Sequence, residues 1–253
     1  MKTRSFLAPI LAKLVLLAAV ASLGGCASTM QNLDDRMDRA RNPSAADPFE
    51  PFNRQVFRFN DAVDTAVLRP TAEAYRRVVP STVRTGVNNF FGNLTEVWSF
   101  ANSVAQLKLQ NSAETFMRFN VNTVFGLGGL LDIATEAGID RHQEDFGQTL
   151  GRWGVPSGPY LVLPLLGPST VRDTAALTLD RQGDLLNAVN DIPVRNSMYV
   201  LRLVDLRASL LRAGQLLDDA ALDKYSFTRD AFLQRRRNDV YDGNIPNPDA
   251  EGQ

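Results

Sequence analysis

Asp47-Pro48-Phe49-Glu50-Pro51-Phe52-Asn53-Arg54-Gln55-Val56-Phe57-Arg58-Phe59-Asn60-Asp61-Ala62-Val63-Asp64-Thr65-Ala66-Val67-Leu68-Arg69-Pro70 is the stretch that sets the fold class. Phe52, Val56, Phe59, Val63 and Val67 recur at spacings of four, three, four and four, which draws one narrow face of a helix. Arg54, Arg58 and Asp61 cluster opposite. Asp47 before Pro48 fits an N-cap with proline in the first turn, and Arg69-Pro70 reads as the helix end, because the residue before proline avoids the helical region. Working outward, Pro80-Ser81 opens a segment with Val83, Val87, Phe90 and Phe91 that Gly92-Asn93 is expected to stop. Val97, Phe100, Ala101, Val104 and Leu107 form another helical face, and Ser112 is expected to cap a helix through Phe116, Phe119 and Val124. No stretch alternates apolar and polar residues as a half-buried strand requires. The expected fold class is all-α.

Two segments break the helical period. Val124 to Ala134 places Gly126, Gly128 and Gly129 in an apolar run that Asp132 interrupts. An apolar run of about 10–14 residues is too short to span a bilayer and reads as buried core or as a re-entrant, interfacial hairpin. It lacks the spacing of a phosphate loop. Phe146 to Pro168 is punctuated by glycine and proline around Trp153, Tyr160 and Leu161-Val162-Leu163, which forbids a long helix. Beyond it, Ser169 or Thr170 caps a helix. Val194 to Leu217 reads as one long helix with leucine nearly all round, but its arginines exclude a plain spanning helix. A last helix is expected from Thr228 to Val240.

The N-terminus carries a different signal. Lys2, Arg4 and Lys13 precede the short apolar run Leu14–Ala21, and Leu23-Gly24-Gly25-Cys26 follows. A basic start, a short apolar run and small residues are marks of a secretory signal peptide. The tetrapeptide resembles a bacterial lipobox, whose cysteine is acylated and becomes the first mature residue; Gly24 departs from the more usual alanine or serine. The expected organisation is a signal peptide at 1–25, a lipidated polar tether at 26–46, a helical domain at 47–242 and a disordered tail at 243–253. Cys26 is the lipid-attachment residue, and no cofactor is expected beyond its diacylglycerol and N-acyl chains.

The 253-residue chain has net charge −1, and without the three signal-peptide cations it is −4, which argues against nucleic acid. Of 27 basic residues only Lys2, Lys13, Lys108 and Lys224 are lysine. With Cys26 acylated no thiol is left for a disulfide, and the single histidine, His142, excludes the usual His/Cys metal sites. His142 beside Glu144 and Asp145 could join a hydrolytic triad, but no Gly-x-Ser-x-Gly elbow accompanies it. No enzyme is expected.

Three blocks together resemble the MlaA/VacJ family of outer-membrane lipoproteins. They are Asp47 to Arg54 with Phe59-Asn60; Arg118-Phe119 through Asn122-Thr123 to Gly126-Leu127-Gly128-Gly129 and Asp132; and Glu144-Asp145-Phe146-Gly147-Gln148-Thr149-Leu150-Gly151 through Trp153, Gly158-Pro159-Tyr160 and Gly167-Pro168-Ser169 to Arg172-Asp173. The resemblance implies a ring-like helical domain lying in the periplasmic side of the outer membrane, lipid-anchored and associated with a trimeric porin. It would remove mislocalised phospholipids from the outer leaflet through a polar channel and pass them to a periplasmic lipid carrier, without chemistry on the lipid. Gly126, Leu127, Gly128, Gly129, Leu130 and Leu131 are the candidate channel or hinge element, with a tight helix crossing as the alternative. Asn53, Arg54 and Asn60 either face the head-group path or brace the first helix. An alternative function is a lipoprotein scaffold that braces a porin or envelope complex without passing lipid.

Overall fold

The computed structural model describes residues 46–244; the expected signal peptide, Cys26 and most of the expected tether and tail lie outside the described residues. Chain contacts divide the protein into Met1–Pro51, described only over 46–51, and a body, Phe52–Gln253.

Helix α1 spans Glu50–Val63, and the chain does not stop at Arg69-Pro70. It passes through a π-helical turn, Asp64–Leu68, directly into α2, Arg69–Val78. The Arg69 N–H reaches back five residues to the Asp64 carbonyl. In a regular helix the Pro70 ring would press on a carbonyl one turn back, and the wider π turn makes room for it. Helix α3, Ser81–Ala105, likewise runs through Gly92, which was expected to end it. A Cβ at Gly92 would lie 3.0–3.3 Å from the Arg141 guanidinium, so this glycine serves a close contact. Helix α4, Leu109–Val124, starts before Ser112, whose hydroxyl donates back to the Lys108 carbonyl at 2.7 Å.

Short helices α5 (Ile133–Glu136) and α6 (Phe146–Arg152) are capped by the Asp132 and Asp145 carboxylates. The all-α expectation is then corrected by a small antiparallel hairpin, β1 (Tyr160–Leu163) and β2 (Gly167–Thr170), with Tyr160 opposite Thr170 and Leu163 opposite Gly167. Four-residue strands are too short for alternation to show in a sequence. Thr170 caps α7, Val171–Gln182, as one of the two expected residues. After a 3-10 turn at Leu185–Ala188, the expected long helix appears as α8 (Ile192–Ser209) and α9 (Leu211–Ala220), divided at Leu210. Helix α10, Lys224–Tyr241, starts earlier than expected because Asp223 caps it.

The interior is polar. Among the described residues of Phe52–Gln253, glycine aside, nineteen buried residues are polar or charged and twelve are apolar. Two small apolar clusters form, one around Val56, Tyr160, Val162 and Tyr225 and one around Ala72, Ala208 and Leu211, while Phe91, Ala134, Ala176, Leu186 and Val240 are buried outside them. Of 13 described phenylalanines only Phe91 is buried; Phe49, Phe52, Phe59, Phe116, Phe125 and Phe227 are exposed. Exposed apolar residues are ordinary singly; a buried polar seam beneath them is the informative observation.

Candidate functional site

The seam begins in α3 and α4, which pack against each other. Asn93, Glu96, Ser99 and Ser103 on α3 and Thr115, Arg118 and Asn122 on α4 are buried at helical spacing, while Phe116, Met117 and Val124 of α4 are exposed. The helices are thus amphipathic with the polar side inward. Arg118, fully buried, lies at the centre. Its guanidinium donates to Glu96 at 3.3 Å, to both Asp132 oxygens at 2.8 and 3.1 Å, to the Thr135 hydroxyl at 3.1 Å and to the Ile139 carbonyl at 2.5 Å. Arg141 shares the same Glu96 oxygen at 2.9 Å. Burial pushes the Glu96 carboxyl above its usual range against the pull of both arginines. Burial also acts to raise Asp132, but Thr135, Asn122 and Arg118 outweigh it and hold the group down at about 2.

Asp132 closes the glycine hairpin. Asn122 donates to it at 3.0 Å and accepts the Ala134 N–H at 2.9 Å, fixing the chain on the far side of the turn. Within the turn, the Gly128 and Gly129 N–H groups return to the Thr123 and Asn122 carbonyls. Gly126 has no space for a side chain: a Cβ would lie 2.3 Å from the Leu131 carbonyl oxygen. Leu127, Gly128 and Gly129 have φ of +54°, +73° and +95°, the left-handed region that favours glycine. Leu127, Leu130 and Leu131 are exposed. The turn therefore presents apolar side chains outward from a polar base.

A second seam joins α6, α7 and α10. The Arg236 guanidinium donates to Asp145 at 2.6 and 2.7 Å and to Asp173 at 2.9 and 3.0 Å. Gly147 admits it, since a Cβ there would lie 2.4 Å from Arg236 Nη2. Gly151 admits Arg172 in the same way. These glycines, read in the sequence as breakers, stand inside a helix so that guanidinium groups can approach its backbone.

Between α3, α6, α7, α8 and α10 lies a cavity of about 1100 Å³ whose wall includes Trp98, Arg141, Asp180, Arg202, Asp205 and Arg236. Trp98 Nε1 and the Phe146 N–H both donate to Asp180 Oδ1 at 2.8 Å. Asp205 accepts from the Tyr75 hydroxyl at 2.9 Å, and burial together with Asp205 pushes that hydroxyl up to about 12. A void this large, with charged groups of both signs on its wall, can hold a zwitterionic or anionic head group and water.

The candidate residues from the sequence fall elsewhere. Gly126 to Leu131 do not line this cavity, nor do Asn53, Arg54 and Asn60. Asn53 donates to the Tyr160 carbonyl at 3.0 Å and accepts the Val162 N–H at 2.9 Å. Two helical turns later, Asn60 donates to the Leu163 carbonyl at 2.9 Å and accepts the Leu165 N–H at 2.8 Å. Asn53 thus satisfies the edge of β1, and Asn60 holds the turn that follows it. Arg54 donates to both Asp223 oxygens at 3.2 and 2.8 Å and lies 4.3 Å over the Tyr225 ring, tying α1 to α10. These are bracing contacts. His142 Nε2 faces the Glu114 carboxylate at 2.5 Å rather than a serine hydroxyl. Sequence reasoning missed the Arg118 network and the cavity wall, although Arg118, Asn122 and Asp132 stood inside one of the three blocks.

The MlaA lipoprotein family profile matches residues 45–239. The chain belongs to the MlaA lipoprotein family. An Escherichia coli K12 MlaA, named an intermembrane phospholipid transport system lipoprotein, is 35% identical over 217 residues, 84% of this chain and 82% of its own length. The Haemophilus influenzae MlaA of the same description is 35% identical over 251 residues, covering 97% and 94%. A solved structure described as the structural basis for maintenance of bacterial outer membrane lipid asymmetry superposes with a TM-score of 0.68. It is 35% identical and matches 77% of this chain and 98% of that one. The named relatives are thus lipoproteins of an intermembrane phospholipid transport system. No helix of the described residues is long and apolar enough to cross a membrane.

Proposed function

We propose that this chain lies in the outer-membrane bilayer on the periplasmic side, removes mislocalised phospholipid from the outer leaflet and passes it toward a periplasmic carrier, with no chemistry on the lipid. The observation that carries this is the inverted polarity of the body: charged and amide side chains between helices, a polar cavity among them, and phenylalanine and leucine outside. In water that arrangement costs free energy on both counts; in a bilayer the apolar exterior is solvated by acyl chains while buried polar groups keep their internal partners. A phospholipid has the same division, so its head group follows the polar cavity while its acyl chains stay against the exterior. The proposal includes a ring-like arrangement around that route, the Gly126–Leu131 turn as a hinge beside it, acylation of Cys26 as anchor, and a trimeric porin as neighbour. The family resemblance supports the porin and the carrier.

Deletion of the gene tests this reading. Labelling of surface-exposed phospholipid should rise in the deletion strain and return to the wild-type level on complementation. An unchanged outer leaflet, together with a porin that co-purifies with the protein, would favour the scaffold instead.

A further inference from the structure

Among the described residues, four that are not glycine stand in the left-handed backbone region, and three of them are leucines. Leu107, Leu127 and Leu165 have φ of +59°, +54° and +62°. The fourth, Asp242, is of a type that visits this region more readily, whereas a leucine there brings its Cβ too close to the following carbonyl oxygen. Elsewhere the chain uses glycine for the same task. Helices α5 and α6 end in Schellman turns, in which an N–H reaches back five residues, and their left-handed residues are Gly138 and Gly154. Helices α3 and α4 end with the same bond, from the Lys108 N–H to the Ser103 carbonyl and from the Gly128 N–H to the Thr123 carbonyl, each at 3.0 Å. There the left-handed residue is Leu107 or Leu127. Leu165 holds the middle of the three-residue loop between β1 and β2.

Packing within the fold does not repay this strain. Leu107, Leu127 and Leu165 are 83%, 70% and 65% exposed, and each has an exposed apolar neighbour in Leu109, Phe125 or Leu166. The turns beneath them are tied down by polar groups. Lys108 pairs with Glu144 and Asp242, Asn122 accepts the Ala134 N–H beyond the glycine turn, and Asn60 accepts the Leu165 N–H. Each tip is therefore an apolar side chain held outward on a fixed polar base. Strain that the surroundings enforce in this way points to function. Leu107 and Leu127 stand at the two ends of α4, whose 16 residues set them about 24 Å apart, with Phe116, Met117 and Val124 exposed between them. A folded partner would need a separate pocket for each tip, whereas acyl chains close around convex apolar points wherever they project.

Resting on the bilayer reading above, we propose that Leu107, Leu127 and Leu165 are insertion tips whose partner is the acyl chains of the membrane. Leucine is kept in a strained conformation at these three turns because an apolar side chain there holds the body in the hydrocarbon. Glycine would relax each turn and lose the contact. Fold stability and membrane contact should therefore respond in opposite directions to the same substitution.

The test has two arms. In the full-length acylated protein, Leu107→Cys, Leu127→Cys and Leu165→Cys each carry a bimane label in vesicles of phosphatidylethanolamine and phosphatidylglycerol. Ala137→Cys is the reference, since Ala137 is exposed between Glu136 and Gly138 at a turn that uses glycine. Lipids with a nitroxide on the acyl chain should quench the three tip labels several times more strongly than the reference. In the second arm the three leucines become glycine together in a Cys26→Ala chain exported through a cleavable signal. Flotation with the same vesicles should weaken by about tenfold or more. Tm in detergent should equal or exceed that of the Cys26→Ala parent, because glycine takes up the left-handed region without strain. Tip labels quenched no more than the reference would overturn the insertion tips. So would a triple variant that floats like its parent or melts well below it. In each of these cases a parent that still floats keeps the bilayer reading. A Cys26→Ala parent that ignores vesicles would remove that reading and this inference with it.

Discussion

Replacing Arg118 by methionine is the sharpest probe of the polar interior. Methionine fits the unbranched stem of the arginine, so the change removes charge and donors with little change in packing. What is left behind decides the magnitude. Glu96 keeps Arg141 at 2.9 Å, and Asp132 keeps Asn122 and Thr135, so neither carboxylate is stripped of partners. Glu96 is nevertheless 2% exposed and loses half of its cationic surroundings, and the Ile139 carbonyl loses its guanidinium donor. Breaking a buried pair by removing one partner costs about 3–5 kcal/mol, and the surviving contacts put this site at the lower end, about 3 kcal/mol. For a chain of this size that lowers Tm by about 6–12 °C. The assay is thermal unfolding of the full-length protein in mild detergent at one fixed scan rate, followed by near-ultraviolet circular dichroism. The double variant Arg118→Met with Glu96→Gln should be more stable than the sum of its single changes, because the carboxylate that would be left under-neutralised is gone. A single variant within about 2 °C of wild type, or strictly additive changes, would refute the idea that paired charge organises this core.

Asn53→Ala leaves the Tyr160 carbonyl and the Val162 N–H without partners in a buried place, a loss of about 2–4 kcal/mol, whereas Asn60→Ala at the exposed end should cost about 1 kcal/mol. Amide hydrogen exchange at Val162 should accelerate in the first variant, and protection equal to wild type would contradict the bracing role. In the glycine turn, Gly126→Ala should be far more damaging than Gly128→Ala. The first drives a methyl into backbone oxygens; the second meets open space and costs about 1–2 kcal/mol for its positive φ, so equal Tm losses would contradict the geometry. Asp132 is held at about 2. Asp173 is lowered too: burial acts to raise it, and Arg236 outweighs that effect. Depressed carboxyls stabilise the fold fully above their ordinary range near pH 4, and the contribution fades as pH falls toward 2. Tm should therefore drop between about pH 4 and 2, and a flat profile there would count against these two anchors.

The helical class was legible because a 3.6-residue period survives whichever side of the helix faces inward. That same indifference hid the polarity of the interior. Phe52, Phe59 and Val67 made a clean apolar stripe, and the natural assumption for a water-soluble body places such a stripe in the core. The structure turns these three outward, keeps Val56 of the same stripe in the core, and buries Asn53, with Asn60 on its side. Local signals also misled where a distant partner was the reason for a residue. Gly92 exists for Arg141, Gly147 for Arg236 and Gly183 for Trp98, and no window of sequence contains both members of any pair. Pro70 failed as a terminator because the π turn before it is not encoded by a residue pattern. Arg118, Asn122 and Asp132 could have been found by asking why an apolar, glycine-rich run should have three hydrogen-bonding groups fixed around it.

On the proposed reading Cys26 is one anchor among several, and the size of the other contribution can be worked out. Leu109, Phe116 and Val124 on α4 with Phe125 and Leu127 at its exit are between half and four-fifths exposed. Full transfer of such side chains from water to hydrocarbon gains about 1.5–3 kcal/mol each, so five at roughly two-thirds exposure contribute about 5–10 kcal/mol. A single myristoyl chain gives a membrane association constant of only about 10⁴ M⁻¹, close to 5–6 kcal/mol. One helix face and its turn therefore match or exceed one acyl chain. A Cys26→Ala protein exported to the periplasm through a cleavable signal should still float with phospholipid vesicles, and it should need detergent to stay monodisperse. Adding charge to the stripe, as in Phe116→Asp with Phe125→Asp, should release it into the soluble fraction without unfolding it, because both side chains already project away from the polar core. An unacylated wild-type body that remains monomeric in plain buffer and ignores vesicles would mean that its outward apolar faces are met by something other than lipid.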